Sequence, residues 1–327
     1  MNTRAEDRSH LLLQVLADGH FHSGETLAHA MGVTRAAVWK KVHALEKFGL
    51  SVFRVPGRGY RLADPLQLLD SPSIASHLSA KCKLRLKHVT VLDMVDSTNT
   101  WLAARPGDPA VCFAEFQSAG RGRHGRRWVS PFASNVYMSL GWSFAEWPQG
   151  FTALGMVAAI AAVRALKHLG VEGVGIKWPN DLVAGGKKLA GVLVDIQGEP
   201  PRATRAIVGV GLNVRMPAEA AQDIDQPWMD LATLTDNAPP ERNRLAAALI
   251  ESLVSSLEEF EAQGFAAFSA DWQALDLVAG HAVALHSHDQ TVTGVAAGVD
   301  EQGALLLRTA QGVKRFVSGD VSLRMAS

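Results

Sequence analysis

The chain has little cysteine, no excess of either charge and no uninterrupted apolar run, and each shortage closes off a class of function. Cys82 and Cys112 are its only cysteines. They are too few and too far apart for a zinc cluster, and they fit a reducing cytoplasm without disulfides. Lysine plus arginine, at 32, matches aspartate plus glutamate, at 32, so overall charge predicts neither nucleic acid nor membrane as partner. Any such role must come from local asymmetry. The longest apolar stretch, Phe151 to Leu169, is interrupted by Arg164 and Lys167 and dominated by Ala and Gly, which predicts a buried helix and no membrane partner. The opening residues are polar and include two acids, unlike a secretory signal. A cytoplasmic protein of two or three domains is expected, since single cores seldom grow past about 250 residues.

Arginine and glycine are concentrated at one place. Between Glu115 and Leu140 the sequence reads EFQSAGRGRHGRRWVSPFASNVYMSL. Gly120, Gly122 and Gly125 free the backbone to wrap a ligand, while Arg121, Arg123, Arg126 and Arg127 crowd guanidinium groups together. Main-chain N–H groups at such glycines can approach phosphate oxygens, and the arginines can neutralise developing charge, so the loop suits a polyanion. The string satisfies G-x-G-x-x-G, yet a dinucleotide fingerprint needs a helix directly after the glycines. Here Pro131 and a Ser-Asn pair lead into a strand instead. No kinase or P-loop element accompanies it. A solvated basic loop is the plain alternative; glycines interleaved between two apolar strands, with Trp128 following, favour a ligand.

Residues 1–65 read as a separate module. Leu11, Leu12, Val15 and Leu16 recur at helical spacing, a second helix covers Gly24 to Met31, and Thr34 caps a third over Arg35 to Phe48. Two short strands around Pro56-Gly57 form a basic wing. Met1 to Ala63 carry nine Lys or Arg against five Asp or Glu. A third helix in the major groove would offer Arg35, Ala36, Trp39 and Lys40, with Arg54 and Arg58 reaching phosphate. The other reading is a helical module that docks on protein.

After a linker around Leu66 to Leu69, a central domain over 66–274 is predicted. Its first strand, His88 to Leu92, leads into Asp96-Ser97-Thr98-Asn99. These residues cap a helix by default, and at a pocket mouth they can hydrogen-bond a neutral polar ligand such as a ureido ring. Strands over Val111 to Phe116 and Asn135 to Trp142 flank the arginine loop. Val174 to Leu182 reads as a strand that stops at a Pro-Asn-Asp turn, and Gly185-Gly186 turns into Lys188 to Asp195. Lys177, Asp181 and Lys188 then lie at the ends of adjacent strands. The pair Asp181/Lys188 is either a surface ion pair of negligible worth or a site where the lysine binds a carboxylate and the aspartate orients or deprotonates an amine. Pro217 to Pro240, with Trp228, is expected to be a mobile loop that closes over a base, with Trp228 as a docking contact the other reading. Arg244 to Phe260 and Gly264 to Leu275 are expected helices. Short strands over 275–327 suggest a small β-barrel, with turns that include Ser287-His288-Asp289.

GRGRHGRRW, KWPNDL and KLAG, with a winged helix before them and a small barrel after, closely resemble the bifunctional biotin protein ligases, also known as biotin operon repressors. The resemblance implies an α+β architecture: a winged helix-turn-helix, a mixed-sheet ligase domain like that of class II synthetases, and an SH3-like barrel. It implies that biotin's carboxylate attacks the α-phosphorus of ATP, with Mg2+ assisting, and that a lysine on the biotin carboxyl carrier domain of acetyl-CoA carboxylase then takes biotin from the adenylate. It places Ser97, Thr98, Asn99, Gln117, Gly120, Arg121, Arg123, Lys188 and Gly191 around biotin. Arg121, Arg126, Trp128, Asn180, Asn213 and Trp228 fall around the nucleotide, and Lys188, Arg123 and Asp181 carry the chemistry. No resident metal site is implied. It further implies a homodimer, induced by biotinyl-AMP through the central sheet, that binds a two-part biotin operator. A lipoate-type ligase shares this logic but is expected to lack the paired motifs, and a ligand-sensing repressor without ligase activity is the rival from another class.

Overall fold

The computed structural model describes residues 3–198, 204–287, 290–317 and 321–325. The N-terminal module comprises α1 (Thr3–Leu16), α2 (Gly24–Met31), α3 (Arg35–Leu45) and the wing strands β1 (Val52–Val55) and β2 (Gly59–Leu62). Ser23 and Thr34 start α2 and α3 by accepting from the N–H of Thr26 and Ala37, and Gly32 ends α2 in a left-handed conformation. Leu12, Leu16, Leu27, Val38 and Val42 are fully buried and form its core.

The central region runs α4 (Ser71–Ser76), α5 (Ala80–Arg85), β3 (His88–Val95), α6 (Thr98–Ala103), β4 (Ala110–Gln117), β5 (Val136–Phe144), α7 (Leu154–His168), β6 (Val174–Lys177), β7 (Asp181–Ala184), β8 (Lys187–Gln197), β9 (Thr204–Leu212), α8 (Ala218–Ala221), α9 (Leu231–Leu234), α10 (Arg242–Gln263) and α11 (Ser269–Leu275). Its seven strands lie in the order β3-β4-β5-β9-β8-β7-β6, and only β3 and β4 are parallel. The two faces follow from the period of two along each strand. On β4, Val111 and Phe113 enter the large core with α7 and α10, whereas Ala110 and Cys112 pack with Leu102 of α6. On β9, Val208 and Val210 face the large core, so Ile207, Gly209 and Gly211 face the α6 side. The apolar stretch expected to be a buried helix is α7, preceded by a 3-10 turn over Phe151–Ala153. By length and composition this stretch could cross a membrane, yet most of α7 is buried against the sheet and α10.

At the C-terminus β10 (Ala282–Ser287), β11 (Gln290–Val299), β12 (Leu305–Thr309), β13 (Gly312–Phe316) and β14 (Val321–Met325) form an antiparallel sheet in the order β13-β12-β11-β10-β14. Among the described residues β13 and β14 are its two edges, with no pairing that closes the expected barrel. Two residues of the turn expected at Ser287-His288-Asp289, His288 and Asp289, lie outside the described residues. The sheet shares the large core through Val283, Leu285, Leu305 and Leu307, and the Gly303 carbonyl accepts from Trp178 Nε1 at 3.1 Å.

One expectation is corrected. The segment read as a linker is clamped, because Arg242 donates to the Gln67 carbonyl, Asn243 Nδ2 to the Leu68 carbonyl, and the Leu69 N–H to Glu115. Arg242 in turn pairs with Glu115 at 2.8 Å, with side chains 3% and 1% exposed, so a buried ion pair fixes the chain between the first two modules. The strand expected to stop at the Pro-Asn-Asp turn ends at Lys177, and Asp181 opens the next one.

Candidate active site

Residues 120–128 form a short antiparallel hairpin. The Gly122 N–H donates to the Arg126 carbonyl at 2.7 Å and the Trp128 N–H to the Gly120 carbonyl at 2.8 Å, while Arg126 N–H closes the tip on the Arg123 carbonyl at 3.2 Å. Those three main-chain donors, one of them at a glycine, are spent inside the hairpin, and the arginine side chains carry the charge. Gly125 at φ 73° suits the tip, whereas His124 adopts φ 56° with a Cβ present, a conformation costing of order 1–3 kcal/mol.

Beside the hairpin, on the α6 side of the sheet, lies a cavity of about 260 Å³. Its polar wall is the start of α6. Ser97 occupies the cap position but makes no capping bond, and with Thr98 and Asn99 it is buried and lines the cavity. Gln117 Oε1 accepts from the Thr98 N–H at 3.0 Å, and its Nε2 donates to Ser130 Oγ at 3.0 Å, which ties the end of β4 to α6 and to the hairpin's far stem. The cationic wall holds Arg121, Arg123, Arg126, Arg127, Lys177 and Lys188. Lys188 Nζ lies 2.8 Å from Asp181, with side chains 18% and 19% exposed, and Lys177 approaches the same carboxylate at 3.9 Å. This is a cavity-wall pair, not the surface ion pair. The third wall is Trp128, whose indole rests on Gly211 and Gly191: a Cβ at Gly211 would stand 2.5 Å from the ring and one at Gly191 3.3 Å from it. Lys188 Nζ sits 5.6 Å above that ring. Tyr137 also lines the cavity; burial raises its phenol pKa, so it acts as a donor, here to the Pro131 carbonyl at 2.9 Å.

The cavity therefore gathers Ser97, Thr98, Asn99, Gln117, Arg121, Arg123, Arg126, Trp128, Asp181, Lys188 and Gly191, and leaves four expected residues outside its lining. Gly120 is a support: a Cβ there would lie 2.6 Å from the Trp128 carbonyl. Asn180 is buried, accepts from Arg123 Nη1 at 3.4 Å and donates to the Val192 carbonyl, so it positions the arginine. Asn213 is buried and donates to the Met229 carbonyl at 3.1 Å, leaving its Oδ1 unpartnered, as is Trp128 Nε1. Trp228 lies in the segment expected to be mobile, but the chain there is pinned: the Lys188 N–H donates to the Pro227 carbonyl at 3.0 Å and the Met229 N–H to the Lys188 carbonyl at 2.9 Å. Asp223 from this segment meets Arg127 at 3.8 Å across the cavity mouth.

Sequence reasoning missed Gly209, Ser139 and Asp195. Gly209 faces Asn99 so closely that a Cβ would stand 2.3 Å from its amide oxygen. Alternating glycines inside an apolar strand, Gly209 and Gly211, were the available signal of close approach on one face. On the winged helix, Arg35, Ala36, Trp39 and Lys40 are exposed, as are Arg54 and Arg58. Arg54 is engaged by Glu46, and Arg58 stacks over Phe21 with its guanidinium carbon 4.5 Å from the ring centre.

A profile of the Biotin/lipoate A/B protein ligase family matches residues 91–213, one of the biotin protein ligase C-terminal domain matches 279–324, and one of an HTH domain matches 8–61. The chain is 40% identical over 318 residues to a bifunctional ligase/repressor BirA of Salmonella typhimurium, covering 96% of this chain and 97% of that one. It is 32% identical to a biotin–[acetyl-CoA-carboxylase] ligase of Mycobacterium tuberculosis over 72% of this chain and 88% of the other. Among solved structures, a biotin protein ligase from Aquifex aeolicus in complex with biotin and ATP superposes with a TM-score of 0.63 at 28% identity, covering 73% of this chain and 100% of that one.

Proposed function

Since the chain belongs to the family of bifunctional biotin ligase/repressors, we propose that the cavity beside the arginine hairpin is where biotin and ATP are condensed and from which biotin is handed to a protein lysine. The protein is an ATP-dependent biotin protein ligase and a transcriptional repressor. The observation that carries the site assignment is the convergence, in one cavity, of a buried neutral polar wall and a cationic wall.

Biotin presents a ureido ring at one end and a carboxylate at the other. The ring belongs against Ser97, Thr98 and Asn99, whose hydroxyl and amide groups match a neutral polar group without a net charge to desolvate. The carboxylate belongs near Lys188. Bringing this anion to the α-phosphorus of ATP requires neutralised charge, which Arg121, Arg123, Arg126 and Lys188 supply in a shielded site, each worth a few kcal/mol, about 3 for a well-placed donor. The new bond joins the biotin carboxylate oxygen to phosphorus as pyrophosphate leaves. Trp128, Asn180, Asn213 and Trp228 take the nucleotide side. Asn213 Oδ1, buried and without a partner, suits an amino donor such as that of adenine. ATP enters as its Mg2+ complex. Among the described residues no cluster cages a metal ion, and a phosphate-borne Mg2+ needs only one or two protein carboxylates.

In the second step the lysine of a biotin carboxyl carrier domain attacks the anhydride carbonyl and AMP leaves. Asp181, held between Lys177 and Lys188, orients Lys188 and the incoming amine. The cationic hairpin shields the water-sensitive adenylate until that amine arrives. For repression, α3 enters the major groove of operator DNA with Arg35, Ala36, Trp39 and Lys40 facing the bases, and Arg58 reaches phosphate. The adenylate promotes a homodimer through the central sheet, and two winged helices on one two-part site add their binding energies. The domain limits 1–65, 66–274 and 275–327 are part of this reading.

The test is transfer of labelled biotin to a carrier domain with and without ATP, with lipoate in parallel. ATP-dependent biotin labelling is expected. Labelling with lipoate instead, or none with either acid, overturns the assignment.

A further inference from the structure

Asp195, on β8, belongs to none of the motifs above and to none of the roles assigned so far. We propose that it is a positioning residue for biotin recognition, setting the direction of a buried hydrogen-bond chain through Asn99, Ser139 and Thr98. The inference rests on the reading that the start of α6 receives the ureido ring.

Two donors converge on one carboxylate oxygen. Arg121 Nη2 lies 2.6 Å and Asn99 Nδ2 3.0 Å from Asp195 Oδ2. An ionised carboxylate only accepts, so the Asn99 amide must turn its nitrogen toward Asp195 and its oxygen inward. That oxygen, 2.5 Å from Ser139 Oγ, can only accept, so the single Ser139 proton goes to it. Ser139 Oγ must then accept from Thr98 Oγ1, 2.7 Å away. Gln117 Oε1, 3.2 Å from Thr98 Oγ1, is left with the Thr98 N–H. Protons thus run one way, from Thr98 through Ser139 and Asn99 to Asp195.

Thr98, Asn99 and Ser139 are all buried, so no solvent competes to reverse this order. Gly209, having no Cβ, leaves the space that the Asn99 amide occupies, since a Cβ there would stand 2.3 Å from its oxygen. The polarised chain leaves acceptor lone pairs on Thr98 Oγ1 and Asn99 Oδ1, which match the two N–H donors of a ureido ring. With the amide turned over, donors would face donors. The Arg121–Asp195 pair is itself half-exposed, so its own contribution to stability is small and its value lies in orientation.

Asp195→Asn keeps size and weakens the requirement, since an amide can offer its own donors to Asn99, which leaves only the Leu193 carbonyl, a longer 3.4 Å from Asn99 Nδ2, to ask for that orientation. Steady-state biotin adenylation by the full chain, followed by pyrophosphate release, should show the KM for biotin rising roughly ten- to hundredfold, with the KM for ATP and kcat at saturating biotin nearly unchanged. Asp195→Glu should recover most of the loss. An unchanged KM for biotin overturns the inference, as does an equal loss in kcat with a lowered melting temperature that Asp195→Glu fails to recover, or a rise confined to the KM for ATP. If the unsubstituted protein does not activate biotin at all, the proposed function fails instead, so the two failures are distinguishable.

Discussion

Gly211→Ala isolates the steric floor of the cavity in one methyl group. The glycine lies in extended backbone that alanine adopts without strain, so the substitution acts only through space. An added Cβ would stand 2.5, 2.6 and 2.8 Å from Trp128 Cε2, Nε1 and Cζ2, whereas unstrained carbon contacts lie near 3.5–4.0 Å. The strand cannot retreat, because β9 is paired to β5 on one side and β8 on the other, with Gly211 opposite Tyr137 and Gly191. The indole must therefore shift by about 1 Å, and overpacking of this kind costs about 1–3 kcal/mol. Expressed in the transition state this is roughly a five- to 150-fold loss in kcat/KM for ATP, since about 1.4 kcal/mol is tenfold. The assay is a double-mutant cycle with Trp128→Ala, reading thermal melting and pyrophosphate release. Once the ring is removed, adding Gly211→Ala should cost under about 0.5 kcal/mol, giving a coupling of about 1–3 kcal/mol. The same penalty for Gly211→Ala with and without the indole would refute the argument.

Four further outcomes are expected. Lys188→Ala should slow biotin-dependent pyrophosphate release by about a hundred- to a thousandfold, and normal release would remove this lysine from the mechanism. Arg242→Met strands Glu115, 1% exposed, without its partner, and should lower stability to denaturant by about 3–5 kcal/mol; a loss below about 1 kcal/mol would contradict the clamp. His10 donates to Asp93 at 2.7 Å, and this bond raises its pKa above 6.5 against the opposing effect of burial. A raised folded pKa stabilises fully below the unfolded value and is lost as pH climbs through the folded one, so cleavage between the winged helix and β3 by an added protease should accelerate as pH rises, and His10→Gln should flatten that dependence. Arg58→Ala should weaken DNA binding alike across sequences and reduce the slope of log affinity against log salt by about one, whereas a loss confined to one sequence would assign it to base contact.

Legibility followed the range of each interaction. Thr34 as a cap and Gly185-Gly186 as a hairpin are local chemistry, and both occur where the spacing predicts them. The cavity's polar and cationic walls were legible because their residues come as short runs, Ser97-Thr98-Asn99 and the arginine-glycine string. Residues that act across the sheet were not. Asp195 is an unremarked acid at the end of an apolar strand until Arg121 and Asn99 fold onto it. Arg242 reads as one more charge just ahead of the helix expected from Arg244, and nothing near it in sequence announces Glu115 as its partner. Around Trp228 a polar, proline-bounded stretch suggests freedom, and the bonds of Pro227 and Met229 to Lys188 are contacts between backbones that side-chain pattern does not encode.

The position of the winged helix follows from the same strands that frame the cavity. Phe48, just beyond α3, packs on Phe116 at 5.7 Å and on Phe132 at 6.0 Å between ring centres. Phe116 immediately precedes Gln117, and Phe132 follows the hairpin by four residues, so the module rests on both stems of the arginine hairpin. Between those stems the Ala133 N–H donates to the Glu115 carbonyl at 3.0 Å, and Glu115 also holds Leu69 and Arg242. A change in the hairpin that moves either stem must therefore be accommodated at Phe48 or at the Glu115 clamp, because close-packed aromatic contacts deform little before they break. The aromatic seat and the buried ion pair, with the His10–Asp93 bond from α1 to β3, are physical contacts through which a change at the cavity can reach the DNA-binding module.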